Sequence, residues 1–157
     1  MASTTFSLED ARRRLDEDGF VHLDDPSIGD RVSNLEQKGF PFISKDGLEF
    51  CRRVLDDERI RAVVESILGE CMLSHLLRWQ ARNDRIECFW IGGPATPRCA
   101  LLVHLHPKEG EARYYKGSHL HSLSMIAGTR LLWETQPSAL AEAGCVPLTK
   151  PFPNGGM

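Results

Sequence analysis

The sequence predicts an α+β protein, with N-terminal helices packed on an antiparallel sheet. Three observations point there. Apolar residues recur at helical spacing through the first 70 residues, and short β-prone runs with Gly/Pro turns follow. Four histidines fall close together in that second part, at 104, 106, 119 and 121. With 157 residues the chain fits one domain, 1–157, divided into a mostly helical part (1–70) and a β-rich part (71–157).

The helical part opens with Ser7-Leu8-Glu9-Asp10, a variant of the capping box. Leu8, Ala11 and Leu15 share one face, and Gly19 is placed to end the helix. Phe20-Val21-His22-Leu23 is β-prone and is stopped by Asp24-Asp25-Pro26. A second, weaker helix is expected over 30–38. Two more segments fall between 46 and 68: Leu48, Cys51, Val54 and Leu55 form one face, and Ile60, Val63, Val64, Ile67 and Leu68 the next, before Gly69.

The β-rich part begins with an apolar stretch at 71–79 and an alternating run at 85–91. Gly92-Gly93-Pro94 is a turn. Residues 99–106 form an uninterrupted β-like run, Pro107-Lys108-Glu109-Gly110 turns, and a return strand over 111–115 completes a hairpin signature. Leu131-Leu132-Trp133 is apolar, a short helix is expected over 138–143, and the tail from 147 is rich in Pro and Gly.

Charge and cysteine usage restrict the partners. Residues 1–70 carry 16 acidic and 10 basic side chains, and residues 71–157 carry 6 and 9, so a balance of −6 faces one of +3. The total of −3 gives no reason to expect nucleic acid or an acidic membrane surface. The cationic second part suits a small anionic ligand, or reflects only the charged outer faces of the helices in the first. No apolar run reaches the roughly 20 residues that span a bilayer, and the start lacks a signal-peptide pattern. Five scattered cysteines without a CxxC point to reduced thiols in a cytoplasmic setting.

His104 and His106 lie two apart on an expected strand, which puts them on one face. Two imidazoles and a carboxylate, with Glu111 just past the turn, would form a metal triad of His104, His106 and Glu111 with open positions for chemistry. The alternative is a pair of structural or solvent-facing histidines. Arg113 shares the face of Glu111, to pair with it or to hold a substrate carboxylate. Trp90 lines a pocket or the core, and His119 completes the candidate substrate-binding set with Arg113 and Trp90. Cys88 and Cys99 lie in apolar patterns and read as core. Neither a phosphate-binding glycine loop nor a Gly-x-Ser-x-Gly elbow is present.

His-x-His, four residues, Glu111, five residues and Gly117 resembles the first metal motif of the cupin superfamily, with Arg98 where a Gly is expected upstream. Two longer stretches resemble the phytanoyl-CoA dioxygenase family. These are Leu15-Asp16-Glu17-Asp18-Gly19-Phe20-Val21-His22-Leu23, and Ala100 through Val103-His104-Leu105-His106-Pro107-Lys108-Glu109-Gly110-Glu111 on to Lys116-Gly117-Ser118-His119. The resemblance implies that the antiparallel sheet is a double-stranded β-helix (cupin-like), incomplete at its last strands, and it implies non-haem iron, Fe(II), and 2-oxoglutarate. It also implies a His-x-Asp on an earlier strand, yet the region 85–98 holds no His. The family's late His and Arg come after the turn that Phe152-Pro153-Asn154-Gly155-Gly156-Met157 resembles. The expectation is therefore a degenerate, C-terminally short relative. It would lack the usual iron/2-oxoglutarate site, with Fe(II) and 2-oxoglutarate or no cofactor as the alternatives, and would bind or transform a small apolar molecule, with metal-free isomerisation or cyclisation as a sub-case. Two alternatives stand beside it. One is a working oxygenase using the His104/His106/Glu111 triad. The other is a non-catalytic partner subunit, with a homo-oligomer formed through an open sheet edge.

Overall fold

The computed structural model describes residues 6–78, 86–89, 91–95 and 97–157. Among them are five α-helices and two small antiparallel sheets. The helical part is close to the sequence expectation. Helix α1 spans Leu8–Glu17, and the Ser7 hydroxyl accepts from the Asp10 N–H at its start. Gly19 takes a positive φ of 88° just after it.

Helix α2 spans Pro26–Gln37 and starts earlier than expected. Asp25-Pro26 is its beginning and not a stop. The Asp25 carboxylate accepts from the N–H groups of Ser27 and Ile28, and Pro26 fills the first helical position, where no N–H is needed. Helices α3 (Lys45–Leu55) and α4 (Glu58–Leu68) follow, capped by Ser44 and Asp57. Gly69 ends α4.

Ala11 and Leu15 of α1 and Val63 of α4 form a buried cluster. Phe6, Leu8, Val21, Ile67 and Leu101 pack around it. Leu101 belongs to the second part of the chain, so this cluster joins the two halves.

The β-rich part departs more from the sequence. One sheet has the order β1–β4–β3, with β1 Ile86–Cys88, β3 Met125–Ala127 and β4 Trp133–Thr135. The other pairs β2 (Gly110–Lys116) with β5 (Val146–Phe152) over seven residues, from Gly110↔Phe152 to Lys116↔Val146. A 3-10 turn, Ser118–Leu120, follows β2, and helix α5 (Pro137–Glu142) precedes β5.

The expected hairpin between 99–106 and 111–115 does not form. Residues 97–105 join no ladder, and His106 makes one isolated bridge, to Gly156. The turn itself closes, with the Gly110 N–H donating to the Pro107 carbonyl, but β2 takes its full seven-residue register from β5 instead. The Pro/Gly-rich tail thus becomes the partner strand. It then turns at 153–155 and bridges Asp24 and His106 through Gly156. Leu23 and Met157 exchange backbone bonds of 2.7 and 2.9 Å. The apolar stretch at 71–78 is not a strand and leaves Met72 and Leu73 exposed.

Candidate functional site

Strand alternation sorts β2 and β5 into two faces. Ala112, Tyr114 and Lys116, with Leu148, Lys150 and Phe152, turn toward the rest of the protein. Glu111 and Arg113, with Pro147, Thr149 and Pro151, turn to solvent. The tail carries the chain back beside His106, which brings the histidine pair onto the inner face.

There the rings form a cluster. The His106 imidazole stacks on Phe152 at 4.1 Å between centroids and 7° between planes. Its Nε2 lies 3.2 Å from the Tyr114 hydroxyl. His104 stands edge-on to His106 at 6.0 Å and lies 6.3 Å from the Tyr114 ring. Phe20 stacks on the other side of Tyr114 at 4.6 Å. Phe152 is fully buried.

Burial sets the protonation of this cluster. It holds His106 down at about 4, with the neighbouring His104 adding to the effect. Burial likewise lowers His104 and pushes the Tyr114 phenol up to about 12. At neutral pH the site is therefore two neutral imidazoles and a neutral phenol among aromatic rings. Such a set offers hydrogen bonds to a carbonyl or hydroxyl group and presents no charge to it.

Lys150 lies beside Phe152. Its ammonium lies 2.9 Å from the Asp24 carboxylate and 5.3 Å from the Phe152 centroid. Lys116 pairs with Asp18 at 3.2 Å. The cationic excess of the second half is thus partly spent on the acidic first half.

The sequence-derived candidates separate. His104 and His106 come together as expected. Glu111 does not join them, because an odd-numbered residue of β2 faces solvent while the histidines lie against the even-numbered Tyr114. Arg113 does share the face of Glu111, and both are exposed. His119 sits away from the pair, with its Nε2 3.1 Å from the Asp16 carbonyl at the end of α1. Its ring packs so closely on Gly19 that a Cβ there would lie 2.4 Å from Nδ1. The ring is thus seated against the end of α1, apart from His104 and His106. Trp90 lies outside the described residues.

One residue was missed. His22 has a buried Nδ1 without a hydrogen-bond partner, and it is held neutral by burial and by Lys150 and Arg14, against the pull of Asp24. His22-Leu23-Asp24 is the chain's one His-x-Asp, far upstream of the region where the family resemblance places it. That tripeptide was the available signal.

The donor set does not fit the iron of the oxygenases that the sequence resembles. Among the described residues no three His, Cys, Asp or Glu side chains gather as ligands. Glu111 is on the wrong face, and Asp24 is engaged by Lys150. Comparison with protein-family models, curated proteins and solved structures gives no match. Among the described residues no helix is long and apolar enough to cross a membrane.

Proposed function

We propose that this chain is a metal-independent relative of the phytanoyl-CoA dioxygenase type that binds a small apolar molecule bearing a carbonyl or hydroxyl group. The observation that carries this reading is the seating of His106, stacked on Phe152 and within hydrogen-bond distance of Tyr114, with Glu111 on the opposite face. Aromatic rings supply apolar contact, and the neutral imidazole and phenol supply orienting hydrogen bonds. The strand connectivity supports a double-stranded β-helix origin: β1, β3 and β4 share one sheet while β2 and β5, between and after them in sequence, form the other. Chains that alternate between two sheets in this way build jelly rolls and cupins.

The test has two arms. Calorimetric titration with Fe(II), Mn(II) and Zn(II) under anaerobic conditions is expected to show no stoichiometric binding. A thermal-shift screen of ketones, alcohols and long-chain acids is expected to find stabilising ligands whose effect is lost in Tyr114→Phe. One equivalent of metal, lost both in Glu111→Ala and in the His104→Ala/His106→Ala double variant, would restore the oxygenase reading and end this one.

A further inference from the structure

Two prolines make the edges of the β2–β5 pair unequal. Hydrogen-bonded and non-bonded residue pairs alternate along an antiparallel ladder. Pro151 stands opposite Glu111 and Pro147 opposite Tyr115. Proline has no N–H to give, so these two, with Arg113↔Thr149 between them, are the non-bonded pairs. The ladder bonds run through Ala112↔Lys150, Tyr114↔Leu148 and Lys116↔Val146.

The backbone groups of the non-bonded residues therefore point away from the ladder. On the free edge of β5 those residues are Pro147, Thr149 and Pro151, which present a single N–H. That edge is blunted, as lone edge strands commonly are. On the free edge of β2 they are Glu111, Arg113 and Tyr115, which present three N–H groups and three carbonyls. Among the described residues none of these three N–H groups has an acceptor. The side chains of Glu111 and Arg113 flank this edge and are exposed.

We propose that the free edge of β2 pairs with β2 of a second copy, antiparallel about a two-fold axis at Ala112. The register follows from charge. An axis at Arg113 would set two guanidinium groups opposite one another. An axis at Ala112 sets Glu111 opposite the other copy's Arg113, twice, on the solvent face. Opposite charges directly across a pair of strands stabilise it, and like charges there oppose it. Each Glu111–Arg113 pair is a bonded pair that exchanges two backbone hydrogen bonds, so four cross the axis. A two-fold interface needs a self-complementary surface, and Glu111-Ala112-Arg113 is one. The product is a sheet of order β5–β2–β2–β5. Both of its outer edges carry prolines, so pairing stops at two copies. It also replaces a two-stranded sheet, marginal by itself, with four strands.

Solution mass measured by sedimentation over a range of concentrations tests this. The wild-type chain is expected at twice its 17.6 kDa. Glu111→Arg and Arg113→Glu, each placing like charges across the axis, are expected to weaken pairing at least tenfold and shift the mass to that of one chain. The double variant Glu111→Arg/Arg113→Glu restores the opposite charges and is expected to return to the doubled mass. Both side chains are exposed, and far-UV circular dichroism confirms that each variant is folded. Amide exchange at Glu111, Arg113 and Tyr115 is expected to slow as the dimer forms. A wild-type chain monomeric at every concentration overturns the proposal, including one that pairs only with a different protein. So does a dimer indifferent to both single reversals, or a double variant that stays monomeric.

Discussion

The imidazole of His106 lies almost flat on the ring of Phe152, with 4.1 Å between centroids and 7° between planes. The arrangement favours the neutral ring, because a charged imidazolium there would be desolvated. Its pKa is lowered to about 4, against about 6.5 for an unfolded histidine. Between those values the unfolded chain holds a proton that the folded chain does not. Stability is therefore complete above pH 6.5 and falls as pH drops toward 4. The loss from His106 is at most about 3–4 kcal/mol, since one pKa unit is worth roughly 1.4 kcal/mol. His104 and His22, also lowered, act in the same direction. Urea unfolding at a series of pH values should show this slope, and His106→Phe, which keeps the stacking, should flatten it. Equal slopes in both proteins would show that His106 is not the titrating group.

Arg59 ties two helix starts together. Its guanidinium lies 2.5 Å from Asp25, the cap of α2, and 2.7 Å from Asp57, the cap of α4. Burial opposes ionisation of Asp25, but hydrogen bonds from Ser27 and Arg59 outweigh it and bring its pKa to about 2. Arg59→Ala leaves two partly buried carboxylates facing each other and is expected to cost about 1–3 kcal/mol. Arg59→Lys keeps the charge but not the fork and should recover only part. The pH signature is separate from that of the histidines. Stability from Asp25 is complete above the usual carboxylate value of 3.8 and is lost as pH falls through about 2. Acid unfolding of Arg59→Ala should show that component reduced, because the Ser27 bonds to Asp25 remain. Chemical denaturation of the three proteins decides the matter, and a loss below about 0.5 kcal/mol in Arg59→Ala would remove the bridge from the account.

The helical part was legible because its signals are local. Ser7 caps where a capping residue precedes an apolar stripe, and Gly19 and Gly69 end helices. Asp25-Pro26 was misread as a stop because the same pair that ends one element can begin a helix. The β-rich part was less legible because strand pairing is set at long range. Residues 99–106 carry a strong β pattern, yet their competitor for β2 lies more than thirty residues downstream at β5, in a tail whose prolines argue against a central strand and permit an edge one. The faces of β2 could be read from alternation, but not which face His104 and His106 would meet. That depended on the tail bridging His106 at Gly156, and it separated Glu111 from the pair.

Gly29 provides a test of how closely that tail is held. It lies inside α2, where alanine would ordinarily be preferred by about 1 kcal/mol. A Cβ on Gly29 would stand 2.3 Å from the Asn154 carbonyl oxygen and 2.9 Å from the Gly155 Cα. Backbone cannot swing aside as a side chain can, so the tail must move, and with it the bridges to Asp24 and His106. Gly29→Ala is expected to destabilise by about 2 kcal/mol or more, opposite in sign to its helix preference. Thermal unfolding reads this directly. A stabilised variant would mean that the tail is not seated on α2.

Tyr114 is the residue through which stability and binding at the cluster are expected to change together. Its hydroxyl is the group placed 3.2 Å from His106 Nε2, and its ring remains stacked on Phe20 whether or not the hydroxyl is present. Tyr114→Phe therefore removes one polar atom and almost no packing. A partly buried imidazole nitrogen loses its partner, at a cost of about 1–3 kcal/mol. Tyr115→Phe, one residue along and turned to the other face of β2, makes the same chemical change without that loss and should stay within about 0.5 kcal/mol of wild type. Nitrogen chemical shifts of the His106 ring separate a local effect from general loosening: they should move in Tyr114→Phe and not in Tyr115→Phe. Equal stability in the two variants, with unmoved His106 shifts, would mean that the imidazole and phenol do not act as a unit, and the proposed binding site would lose its orienting pair.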